Sequence, residues 1–102
     1  MTTLTTGTGR KIPCEAVVKG LSFPFLYIHT SALSRLEADT IFADPRETQE
    51  MAAVETVTGE DGSTATIERR YLGWTQIYAV QRSPLFDAPG TLMIWLQKPE
   101  VT

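Results

Sequence analysis

Cys14 and His29 are the only cysteine and the only histidine of the chain, so a nucleophile with its general base would have to be built from them. Both fall inside stretches that read as strands. Cys14 shares an apolar face with Ile12 and Ala16, where a thiol is a small inert hydrophobe rather than a thiolate. No G-x-S-x-G or comparable motif supports a nucleophile. One histidine is too few for most transition-metal sites. Two carboxylate pairs, Asp39 with Asp44 and Glu60 with Asp61, suggest acid–base work or calcium, but no D-x-D-x-D-G loop surrounds either. Gly7-Thr8-Gly9 lacks the Gly-Lys-Ser/Thr ending of a phosphate loop. The residue types therefore assemble no catalytic set, no metal site and no cofactor site, and the chain is expected not to be an enzyme.

What remains is chemistry of surfaces. Trp74, Tyr78 and Trp95 lie in strand-like segments and are read as core; the alternative is a groove for a peptide or carbohydrate. The formal charge of −3 hides a division. Residues 36–61 hold eight acids and one base, a local −7, against +4 for the remainder. Such a field can orient a protein partner or another copy of the chain. Glu37, Asp39, Glu47 and Glu50, with Arg69 and Arg70, form the candidate interaction surface. The negative total disfavours nucleic acid, even with a basic strip of Arg69, Arg70, Arg82 and Lys98.

These side chains need elements to hold them. With 102 residues and 42% apolar composition, the chain fits one small domain. A single Cys excludes an internal disulfide framework and fits a reducing compartment. No apolar run approaches the roughly 20 residues of a membrane span, and no signal segment is visible. Residues 1–9 are Thr- and Gly-rich and read as a flexible arm, the alternative being an edge strand that orders only in an assembly, with 10–99 as a single β domain. Alternation predicts strands over 11–19, 23–30, 51–57, 63–72, 74–81 and 91–97. Gly59-Glu60-Asp61-Gly62 reads as a hairpin turn, Gly73 as a bend, and 83–90 as a Pro-flanked loop. Ser34 with Glu37 has capping-box spacing, and Asp44-Pro45 reads as a second helix start after a break. The expected fold is mainly β, a six-stranded antiparallel barrel or sandwich with one short helical insertion at about 34–48. The expected core is Ile12, Val18, Phe23, Phe25, Tyr27, Val54, Ile67, Tyr71, Trp74, Ile77, Tyr78, Leu92, Ile94, Trp95 and Leu96.

One stretch is more specific. Leu36-Glu37-Ala38-Asp39-Thr40-Ile41-Phe42-Ala43-Asp44-Pro45-Arg46-Glu47-Thr48 reads E-A-x-x-I-F-x-D-P-x-x-T, and Tyr71-Leu72-Gly73-Trp74-Thr75 follows it. This pairing resembles small uncharacterised proteins encoded in phages and prophages of Gram-positive bacteria, often among structural genes. The likeness runs from about residue 11 to residue 98. It implies a non-enzymatic structural or assembly protein with a tail or baseplate position. Such a protein would be made in the bacterial cytoplasm, then built into the virion, and would bind itself or other virion proteins, without nucleic acid or membrane. The resemblance brings no catalytic residues. Phe42, Asp44, Pro45, Thr48, Gly73 and Trp74 are its structural motif: Phe42 plugs the core, Asp44 caps the next turn, and Gly73 lets the chain bend before Trp74.

Overall fold

A computed structural model describes residues 2–20, 24–83 and 90–99. The chain runs β1 (Thr2–Thr5), β2 (Lys11–Cys14), β3 (Ala16–Lys19), β4 (Phe25–Thr30), α1 (Arg35–Phe42), α2 (Pro45–Thr48), β5 (Glu50–Thr58), β6 (Thr64–Leu72), β7 (Gln76–Arg82) and β8 (Leu92–Gln97). The strands form two four-stranded antiparallel sheets, β2-β1-β5-β6 (sheet A) and β3-β4-β8-β7 (sheet B). The mainly β expectation holds. The described strands number eight rather than six, and no closed barrel forms.

Two of the differences have one cause each. The predicted 11–19 strand is broken at Glu15, where the chain leaves sheet A for sheet B. The corner is pinned from several sides. Glu15 N–H donates to His29 O at 2.8 Å, Thr30 Oγ1 donates to Pro13 O at 2.8 Å, and Ser31 N–H donates to the Glu15 carboxylate at 2.9 Å. The other addition is β1. Residues 2–5, expected as part of a flexible arm, form a strand inside sheet A between β2 and β5, with Leu4 fully buried. Antiparallel pairing on both edges satisfies its backbone groups and outweighs the threonine-rich composition.

The second corner lies at Gly73, whose φ of +80° is open to glycine at little cost. Its N–H donates to Gln49 O at 2.9 Å, and Trp74 beyond it is buried. The helical insertion is two short helices. Ser34 and Glu37 form the capping box of α1. Asp44 caps α2 by accepting from Arg46 N–H at 3.0 Å, with Pro45 at the first helical position. Thr48 Oγ1 donates back to Asp44 O at 3.3 Å.

The core is mostly aliphatic: Leu4, Ile12, Leu26, Ile28, Met51, Ile94 and Leu96, with Phe42, Tyr71 and Trp74. In β4 the buried apolar residues are Leu26 and Ile28, not Phe25 and Tyr27. In β3 Val17 packs on the core and Val18 is exposed. Val54 is half-buried and Ile67 exposed, while Met51 and Ala53 fill the core side of β5. Tyr78 is exposed and Trp95 half-buried. Phe23, residues 21–22 of the turn that the sequence suggests at Gly20 to Ser22, and most of the predicted 83–90 loop lie outside the described residues.

Candidate interaction surfaces

Strand β1 pairs with β5 only as far as Glu55. Beyond it, among the described residues, β5 pairs with β6, from Glu55↔Ile67 to Thr58↔Thr64. The tip turn is closed by Gly59 N–H to Ser63 O at 2.7 Å, and Gly62 takes a φ of +82°. Cross-strand threonine pairs and β-branched residues keep these strands extended without a core beneath them. Every residue from 55 to 68 is exposed. At about 3.4 Å per residue this arm extends about 15 Å past β1, consistent with overall dimensions of 49 × 30 × 29 Å. The row Met51, Ala53, Glu55, Val57 on β5 and Tyr71, Arg69, Ile67, Ala65 on β6 shares one face. At its root the row is core; along the arm it leaves Val57 42% and Ile67 41% exposed. A cleft of about 230 Å³ lies under the root, lined by Val17, Val18, Ala53, Ile67, Arg69 and Tyr71 among others.

The outer face of sheet B is a second surface. Directly paired residues share a face, so Phe25 and Tyr27 stand with Trp95 opposite the buried Leu26, Ile28 and Ile94. The β7–β8 register shifts between Ile77 and Ala79. That bulge turns Tyr78 outward, 58% exposed. Its ring lies 4.8 Å from Phe25 and stacks 5.8 Å from Trp95. Tyr27 meets Trp95 edge-on at 5.1 Å. The Trp95 indole nitrogen is buried and has no hydrogen-bond partner among the described residues.

The motif residues serve the fold. Phe42, Thr48 and Trp74 are buried, and Asp44 and Pro45 start α2. The candidate surface residues divide. Glu50 and Arg70 meet across β5 and β6 at 3.8 Å, and Arg70 also reaches Glu68 at 3.4 Å. Both partners of each pair are well exposed, so these contacts contribute little to stability. Glu37 closes its own helix cap and Asp39 lies exposed on α1. Among the described residues no ion pair joins either of them to Arg69 or Arg70. Glu47, expected at the surface, is buried. Thr8 Oγ1 donates to its carboxylate, Arg10 Nε approaches at 3.4 Å, and Gly7 N–H donates to its carbonyl at 2.9 Å.

Burial pushes the Glu47 carboxyl up, but the hydroxyls of Thr8 and Thr6 and the Arg10 guanidinium outweigh it, and the net shift is downward. A depressed carboxylate contributes stability above its unfolded pKa of about 4.3, and that contribution is lost as pH falls through the folded value. Glu47→Gln should therefore melt earlier than the parent chain at pH 7, with the gap narrowing below about pH 4.3. Melting curves taken across pH check this; a constant gap would remove the charge from the account.

The Cys14 thiol is buried, donates to Ile12 O at 3.4 Å, and is pushed by burial up to about 12, so it stays protonated at neutral pH. His29 is buried, and its Nδ1 lies 2.8 Å from Ser83 Oγ; burial lowers its pKa. Asp44 is held by the Arg46 guanidinium, which keeps its carboxyl below the usual range, and Asp61 accepts from Ser63 at the arm tip. The residues that sequence reading missed are Val57 and Phe25 with Tyr27. Their signal was present in the over-long 51–72 hairpin and in residues 25–28 of β4, which are apolar on both sides and leave the outer face unmarked. Comparison with known proteins found no matching family model, no matching curated protein and no matching solved structure.

Proposed function

We propose that this is a non-enzymatic assembly protein that works through protein–protein contacts, of the particle-building kind implied by its resemblance to small phage proteins, with a tail or baseplate position. The observation that supports it is the arm. A hairpin extending past its own core, with Val57 and Ile67 exposed and β6 at the edge of sheet A among the described residues, is a surface shaped for another chain. The charged residues Glu68, Arg69 and Arg70 on that edge limit indiscriminate strand pairing. Mass spectrometry of particles purified from a host carrying the gene should find the chain at a fixed copy number per particle. Its absence from particles, with metabolic genes on both flanks, would sink the reading.

A second reading, a small binding module for a peptide or carbohydrate, draws on the outward Phe25, Tyr27, Tyr78 and Trp95. Trp74, once its leading residue, is buried and takes no part. Saturable quenching of tryptophan emission by a soluble oligosaccharide, with the protein still monomeric, would favour it over assembly.

A further inference from the structure

We propose that two copies of the chain pair edge to edge along β6, antiparallel about a twofold axis at Arg69, so that their A sheets join into one continuous sheet. This rests on the assembly reading and names a second copy as the partner.

Among the described residues, β6 is the edge suited to pairing. Sheet A ends on β2 and β6, and sheet B on β3 and β7. β2 and β3 have four residues each, β2 contains Pro13, and β7 carries the bulge after Ile77. Short strands, prolines and bulges all discourage edge pairing. β6 runs nine residues with an unshifted register to β5, and residues 64–70 are all exposed.

Two hydrogen bonds fix which backbone groups point outward. Gly59 N–H donates to Ser63 O at one end of the hairpin, and Gly73 N–H donates to Gln49 O at the other. With no register shift between them, the odd-numbered residues of β6 turn their backbone groups toward β5. Thr64, Thr66, Glu68, Arg70 and Leu72 therefore turn theirs to the edge, and in a pair of identical antiparallel strands these must oppose one another.

Charge then selects the register. An axis at Arg69 sets Glu68 opposite Arg70 of the second copy, and Arg70 opposite its Glu68. Glu68 and Arg70 share one face of sheet A with Val54 and Ala52, so each pair of charges meets on one side. An axis at Glu68 or at Arg70 opposes like charges instead, and an axis at Ile67 sets both charges against threonines. On the other face, the Arg69 axis sets Ile67, 41% exposed, opposite Tyr71 of the second copy, which carries the apolar row across the joint. The charges that limit indiscriminate pairing thus admit this register. Its one adverse contact is Arg69 against Arg69 of the second copy, which gives it a signature. The contact is isologous and closes at two copies.

The test uses the full chain, whose own Cys14 is buried. Light scattering over a concentration series should show the parent chain passing from one-copy to two-copy mass. Glu68→Arg and Arg70→Glu are changes at exposed positions, and each should weaken association roughly tenfold or more. Mixed in equal amounts, these two variants should pair again, because every cross-copy contact then joins unlike charges. Arg69→Ala should strengthen association by removing the like-charge contact. Arg69→Cys should link two copies through a disulfide under mild oxidation, since facing residues at a non-hydrogen-bonded pair have Cα atoms about 4.5 Å apart, within disulfide reach. A parent chain that is monomeric throughout overturns the inference, yet leaves the assembly reading to a different partner. Association that ignores the charge variants, that mixing does not restore, or that leaves Arg69→Cys unlinked also overturns it.

Discussion

Phe42→Ala is expected to cost about 3–5 kcal/mol, the range for truncating a fully buried phenylalanine. The side chain has no exposure and sits at the end of α1 with Ala38 and Ile41 as the helix's buried face. α1 is only eight residues long, too short to be stable alone, so its place depends on this face. The ring is also the largest fully buried side chain among the described residues. Removing it leaves a cavity that the pinned ends of the insertion cannot close. α1 is fixed at its start by the Ser34 cap and by Arg35, whose guanidinium donates to Val80 O at 2.8 Å. A domain of this size holds about 5–15 kcal/mol in total. The loss therefore amounts to about 12–40 °C in melting midpoint at roughly 4–8 °C per kcal/mol. Thermal and denaturant unfolding measure it. A loss under about 1 kcal/mol would show that the helix pair does not anchor on Phe42.

Gly7→Ala is expected to cost about 1–3 kcal/mol or more, as overpacking against backbone does. A Cβ at this position would lie 2.2 Å from Arg46 O and 3.3 Å from Glu50 O. Neither atom is a movable side-chain end, so the β1–β2 turn and α2 must part. Parting them strains the Gly7–Glu47 backbone hydrogen bond and the Thr8 and Arg10 contacts that satisfy the buried carboxylate. Gly9→Ala is the control. Nothing lies within 4 Å of its Cβ, and only the φ of +87° resists the change, at about 1 kcal/mol. Equal losses for the two variants in denaturant unfolding would mean that the close approach at Gly7 is not what matters. The Gly7-Thr8-Gly9 segment, first considered as a phosphate loop, is thus the point where the N-terminal hairpin and the helical insertion touch.

Local chemistry was well legible. The caps at Ser34 and Asp44, the break between the helices, the turn at 59–62 and the bend at Gly73 each depend on a few adjacent residues, and they form where the residue types place them. Faces were less legible. β4 reads Phe25-Leu26-Tyr27-Ile28, apolar on both sides, so alternation cannot say which side is inward. In 11–19 the alternation runs unbroken in sequence, but the change of sheet at Glu15 shifts its phase, and Val17 replaces Val18 on the core side. Tyr78 looked like core until the bulge after Ile77 turned it outward.

The candidate surface followed the same division. Charge counting marked 36–61 as acidic, and that is a property of composition. It could not tell that Glu47 is buried against Thr8 and Arg10, that Glu37 closes a helix cap, or that Glu60 and Asp61 stand at the end of a projecting arm. By itself the sequence determined a small, mainly β domain with its turns and helix ends, because these follow from residue types and their near neighbours. Only the tertiary structure decided that residues 2–5 are an interior strand, that residues 55–68 are exposed in a projecting hairpin, and that four aromatic rings face outward. Each of these depends on which strand lies beside which, and pairing across fifty residues leaves no mark on the spacing of any one segment.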